Sequence, residues 1–128
     1  MATNGGDGAL ETEAHLKKFQ KELSAGTVAL VLLVVLAQAD EPLYGYQIAK
    51  RLERSADGAL SGKQSALYPV LRNLCAAGLL DSEVEPSVSG PPRRYYRITS
   101  LGRAVAGEWT QTWTATRRFV DSVLKGAV

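Results

Sequence analysis

One cysteine, one histidine and one methionine stand among 128 residues. The single thiol, Cys75, excludes an intramolecular disulfide and with it the disulfide-stapled secreted domain. In its helical setting beside Leu74 it reads as a buried, inert thiol. His15 is remote from it, so no soft-ligand set for a transition metal exists, and neither a metal site nor a cofactor is expected. No nucleophile elbow, phosphate-cradling loop or metal motif is present, and the chain is not expected to be an enzyme. It is too short for a barrel enzyme or a complete two-half dinucleotide-binding domain. The most apolar stretch, residues 28–37, spans about 15 Å as a helix, half of a bilayer core. It reads as a core helix, and no membrane partner is expected. Residues 1–10 are small, Gly-rich and weakly acidic, without the basic start and apolar run of a signal peptide. They are expected to be a disordered tail, and the protein to be cytoplasmic.

An excess of one charge is missing too. Lys+Arg total 15 and Asp+Glu 13, a net charge of +2. The distribution is more telling. Residues 41–80 hold five basic and three acidic residues, and residues 93–103 hold four arginines and no acid. Reading nucleic acid takes a local basic face, not a large total.

What is present fits one soluble domain: 45% apolar and 22% charged residues. Residues 11–23 carry Leu16, Phe19 and Leu23 at helical spacing. Residues 27–38, apolar nearly all round, predict a second, central helix, with Ser24 or Thr27 as its cap. Asp40, Glu41 and Pro42 stop it. Residues 44–54 predict a third helix with Ile48 and Leu52 inward, Ala49 joining them, and Lys50 and Arg54 on the outer side. The fourth opens at Ser61 or Ser65, Ser61 and Gln64 having capping-box spacing, and buries Leu67, Leu71 and Leu74. Gly78 terminates it. Pro69 falls inside and predicts a local bend.

Residues 79–85 and 93–99 alternate as two strands of a hairpin with a proline-stiffened tip and place Tyr95 and Tyr96 on opposite faces. Tyr95 packs in the core or faces DNA. Thr99 or Ser100 caps the last helix. Leu101, Val105, Trp109, Trp113, Thr116, Val120 and Val123 follow one face of it, widened by Phe119 and Leu124. Such a stripe wants a partner, and a two-fold copy of the chain is the simplest one.

The fold class is therefore mainly α with a small β-hairpin. Residues 11–99 form an N-terminal helix and a winged helix-turn-helix, and residues 100–126 a dimerisation helix. A helix suits the major groove, and a basic hairpin reaches the flanking backbone or minor groove. The candidate DNA contacts are Lys63, Gln64, Ser65, Tyr68 and Arg72 on the fourth helix, with Lys50 and Arg54 on the third. Arg93, Arg94 and Arg97 make a basic wing. Gln64 suits an adenine edge and Ser65 a base or phosphate, while Lys63, Tyr68 and Arg72 suit phosphates. The partners expected are double-stranded DNA, as a pseudo-palindromic operator, and a second copy of the chain. A winged-helix module that binds protein instead of DNA is the competing reading.

Three separated stretches, GTVALVLLVVLAQADEPLYGYQIAKRLE, SALYPVLRNLCAAGLL and GPPRRYYRITSLGR, resemble the PadR family of bacterial transcriptional regulators in order and spacing, over about residues 21–124. Gly45 and Tyr46 match the family's Gly-Tyr pair; Leu67, Tyr68 and Pro69 its Leu-Tyr-Pro; Gly78 its terminal glycine. Arg94, Tyr95, Tyr96, Arg97 and Thr99 match its wing motif, and Gly102 the glycine after it. Where the family often has Gly-Thr, this chain has Ser65-Ala66, which alters the expected operator contacts but not the fold. The resemblance implies a homodimeric repressor joined through the C-terminal helix and released from DNA by a small ligand. The short C-terminus is similar to that of the smaller subfamily, in which a tryptophan of this helix stacks on flat aromatic molecules. Trp113 falls at that place, with Trp109 one turn earlier; the two either form a platform for a planar aromatic ligand or simply pack the interface. Glu108 is the nearest acid that would attract a cation there.

Overall fold

The computed structural model describes residues 5–55 and 64–127. Four helices and three strands follow in the order α1 (Gly5–Gln38), β1 (Leu43–Tyr44), α2 (Gly45–Ser55), α3 (Gln64–Ala76), β2 (Leu80–Glu85), β3 (Arg93–Ile98) and α4 (Ser100–Ala127). The two helices expected over residues 11–38 are one. The Ser24 hydroxyl donates to the Gln20 carbonyl and the Thr27 hydroxyl to the Leu23 carbonyl at 2.9 Å. Both hydroxyls thus bond back into the helix instead of capping a new one, and Gly26 is carried inside it. α1 begins at Gly5, within the stretch expected to be a tail. By length and composition α1 could cross a bilayer, yet Leu32, Leu33 and Leu36 are buried in the protein core.

Leucines dominate that core. Leu32, Leu33 and Leu36 of α1 meet Ile48, Ala49 and Leu52 of α2 and Leu67, Leu71 and Leu74 of α3. Leu43, Leu80 and Tyr96 close it from the sheet, and Ala106 from α4. No buried polar or charged residue interrupts it among the described residues. α3 runs through Pro69, the sixth of its 13 residues. The Ser61 cap lies outside the described residues. At the other end of α3, the Leu79 N–H reaches the Leu74 carbonyl and the Gly78 N–H the Cys75 carbonyl, both at 3.0 Å. Gly78, at φ +79°, supplies the left-handed turn that this pair of bonds requires.

The hairpin is one part of a three-stranded antiparallel sheet in the order β1-β3-β2. Leu43 pairs with Tyr96 and Tyr44 with Tyr95, so Tyr44 belongs to a strand and not to the helix after it. Two residues hold no alternation to read, and the partner strand lies about fifty positions away. α2 starts one residue later, where the Gln47 side chain accepts the Tyr44 N–H at 3.0 Å.

Thr99 joins three elements. Its hydroxyl donates to the carbonyls of Gly78 (2.8 Å) and Leu79 (3.1 Å) and accepts the Gly102 N–H at 2.9 Å, capping α4. Thr99→Ala is expected to cost about 1–2 kcal/mol through the lost cap and the orphaned carbonyls. Urea unfolding checks this, and Thr99→Ser should retain most of the stability. An Ala variant as stable as the parent would show that the cap contributes nothing.

Candidate nucleic-acid interface and apolar groove

Sheet pairing sorts the wing residues by face. Cross-strand partners share a side of the pleat. Leu80, Ser82, Val84, Arg94, Tyr96 and Ile98 are on the side that packs toward α3. Asp81, Glu83, Glu85, Arg93, Tyr95 and Arg97 are on the other. The three wing arginines thus do not form one basic face. Arg94 alone stands on the α3 side, where its Nη1 donates to Ser82 Oγ at 2.9 Å. Arg97 Nε lies 4.0 Å from Asp81 Oδ2. Arg93 covers the Tyr44 ring, its guanidinium carbon 4.5 Å from the ring centre. Tyr95 is half-buried and meets Tyr44 edge-on at 5.4 Å, so its ring belongs to this outer aromatic cluster.

Tyr68 lies at the start of α2. A Cβ built on the buried Gly45 would come within 2.7 Å of the Tyr68 hydroxyl and 3.0 Å of its ring. The Gly-Tyr and Leu-Tyr-Pro motifs are therefore one packing unit: the missing side chain at Gly45 makes room for the tyrosine ring. A cleft of about 350 Å³ opens beside it, lined by Tyr44, Gly45, Tyr68, Arg93, Arg94 and the wing tip. Lys50 is held by Glu53 at 3.6 Å and rests over the Tyr46 ring. Arg72 is exposed on α3. Lys63 lies outside the described residues, as do the side chains of Arg54, Gln64 and Ser65.

Cys75 is half-buried. Burial pushes its thiol above the ordinary value, partly opposed by its hydrogen bond to Ser82 and by the Arg94 charge. Tyr96 is raised as well, chiefly by burial. Both groups are neutral near pH 7.

A second feature lies away from the wing. α1 and α4 run side by side, with Arg103 Nη1 donating to the Ala37 carbonyl at 3.3 Å. Beyond that point a groove of about 560 Å³ opens between Glu22–Leu30 and Trp109–Thr116. Trp109 and Trp113 line it, 36% and 39% exposed. Glu108 does not line it, whereas Glu22 does. That acid arrives from a helix some ninety positions away, which no local spacing reveals. Leu101, Phe119, Val120, Val123 and Leu124 continue the exposed apolar face of α4, and Leu16, Phe19 and Leu23 make another on α1, with Leu10 exposed elsewhere on that helix. Val105 is half-buried against the core and Thr116 lines the groove.

Comparison with known proteins agrees with this architecture. Residues 32–108 match the family model described as the transcriptional regulator PadR-like family. A PadR family transcriptional regulator of Eggerthella lenta is 34% identical over 90% of this chain and 96% of its own, with a TM-score of 0.68. A PadR-like transcriptional regulator of Bacillus cereus is 26% identical over 80% and 96%, with a TM-score of 0.65. A transcriptional regulator of Mycobacterium tuberculosis is 34% identical over 93 residues, 73% of this chain and 78% of that protein. A winged helix-turn-helix over the matched residues, a recognition helix flanked by a wing, and relatives at this identity lead to one assignment: the chain belongs to the PadR-like family of DNA-binding transcriptional regulators, not to the enzymes.

Proposed function

We propose that the chain is a homodimeric repressor that reads a pseudo-palindromic operator with one α3 per subunit and releases it when a planar aromatic ligand enters the α1–α4 groove. The carrying observation is the separation of two surfaces. One end of the molecule bears α3 and the wing; the long apolar face of α4 lies outside the core. Contiguous apolar surface of that kind marks an association site, and a two-fold copy would set two recognition helices about one DNA turn apart. The groove volume is that of a small-molecule site, with aromatic walls and one carboxylate at its edge. Repression as the sign of regulation comes from the family resemblance.

Titration against labelled genomic fragments, the chain's own upstream region included, tests the DNA half at several salt concentrations. One fragment should bind tightly over competitor with a steep salt slope. Uniformly weak binding by folded dimer would favour the protein-interaction module instead. For the ligand half, planar aromatic probes should quench Trp109 and Trp113 and lower operator affinity, and Trp113→Ala should weaken probe binding about tenfold. Quenching without loss of operator binding would remove the inducer role.

A further inference from the structure

We propose that Arg72 and Arg94 clamp a single backbone phosphate of the bound DNA between the recognition helix and the wing, with Ser82 as the positioning residue and Cys75 at the base of the clamp. The proposal rests on the DNA-binding reading and names the chemistry of one contact within it.

Among the candidate cations whose side chains are described, most are already engaged. Lys50 has Glu53, Arg97 has Asp81, and Arg93 has the Tyr44 ring. Among the described residues, Arg72 makes no hydrogen bond or ion pair and Arg94 bonds only the neutral Ser82 hydroxyl. These two uncompensated guanidiniums line the same recess of about 320 Å³ with Cys75, Ser82 and Tyr96. Two like charges aimed at one space repel each other unless an anion enters. No carboxylate lines the recess among the described residues, and Cys75 and Tyr96 stay neutral there. Asp81, whose charge acts on Cys75, sits on the opposite face of the sheet paired with Arg97.

The recess has the chemistry of a phosphate seat: two planar forks, each able to give two N–H bonds, and no competing acceptor charge. Its walls come from different elements, Arg72 from α3 and Arg94 from β3. One phosphate held by both would tie the wing to the recognition helix on the duplex. Ser82 contributes through Arg94, whose fork it holds by one hydrogen bond while leaving the remaining N–H groups free.

Cys75 is the only cysteine in the chain, so it reports on the recess without any engineered label. Its reaction with an aromatic disulfide reagent can be followed by absorbance in the free protein, in its complex with an operator fragment, and with inorganic phosphate alone. The fragment should slow labelling about tenfold or more, and millimolar inorganic phosphate should not. On a single half-site, Arg72→Ala and Arg94→Ala should each leave the slope of log affinity against log salt nearly unchanged, because the other arginine still neutralises the phosphate, and the double variant should reduce it by about one. Ser82→Ala should weaken DNA binding about threefold in the parent and have no effect in Arg94→Ala. Both arginines are exposed, so the variants should fold; their thermal melts confirm it.

DNA bound with Cys75 labelling at its free rate would overturn the clamp while leaving the DNA reading intact. So would a single-half-site slope that falls by about two in the double variant. Equal protection by inorganic phosphate would make the recess a free-anion site instead. Failure of the parent protein to bind any fragment would remove the DNA reading, and the clamp with it.

Discussion

Gly102→Ala is expected to cost about 3 kcal/mol, at the upper end of ordinary overpacking. A Cβ at Gly102 would overlap the Leu79 carbonyl oxygen and lie 2.7 Å from Ile98 Cγ1. The obstacle is backbone, so no rotamer change relieves it. Nor can that backbone move freely: the Leu79 carbonyl also accepts the Thr99 N–H at 3.1 Å, and the Leu79 N–H closes α3. The variant must either lift the first turn of α4 from the sheet or break the junction of α3 and β2. For a domain of this size the cost corresponds to a fall in Tm of about 10 °C or more. Gly107→Ala is the matched control. It lies in the same helix, exposed, with nothing within 4 Å of the added methyl. It should gain about 0.5–1 kcal/mol from reduced chain entropy. A Gly102→Ala protein that melts with its parent would mean that α4 is not seated on Leu79 in solution. The glycine after the wing motif thus has a packing role that needs no DNA.

The succession of helices, hairpin and terminal helix is legible in the residues because each element repeats its apolar positions at its own period. Gly78 and Thr99 punctuate it with local chemistry, and both act as that chemistry predicts. Three features are not legible, each for a different reason. Ser24 and Thr27 have the same side chains whether they cap a helix or bond back inside one, and the difference lies in the backbone that they serve. β1 exists only because β3 supplies its partners. The wing arginines show the third case. Alternation predicts that Arg94 faces away from Arg93 and Arg97, as it does for Tyr95 and Tyr96. Which side meets α3, and which carries Asp81, Glu83 and Glu85, follows from register alone. A cluster of arginines in sequence is therefore not a basic face in space. In the same way Arg72 and Arg94, separated by 22 positions, share a recess that no spacing announces.

Val120→Glu is expected to have the largest effect on function while leaving the fold unchanged. Val120 is 42% exposed and forms no part of the core cluster. It follows Trp113 and Thr116 at helical spacing, on the face that lines the groove. If this face meets its two-fold copy, the substitution places carboxylates in an apolar contact, where unpaired charge is costly to desolvate. The dimer should dissociate at micromolar protein, seen by sedimentation, with unchanged circular dichroism and melting of the monomeric fold. Operator affinity should then fall about 100-fold or more, because the second half-site loses the effective concentration that linkage provides. Binding to a single half-site should stay as it was. Arg118→Glu, two residues away and roughly across the helix, changes charge without entering the stripe and should leave the dimer intact. A Val120→Glu protein that remains dimeric would move the interface to the other exposed stripe, Leu16, Phe19 and Leu23 of α1. Loss of half-site binding in a folded monomer would instead place residue 120 in the DNA contact, which its position on the far part of α4 opposes. The pair of measurements therefore separates association from recognition, the two tasks that the proposed reading places on different surfaces.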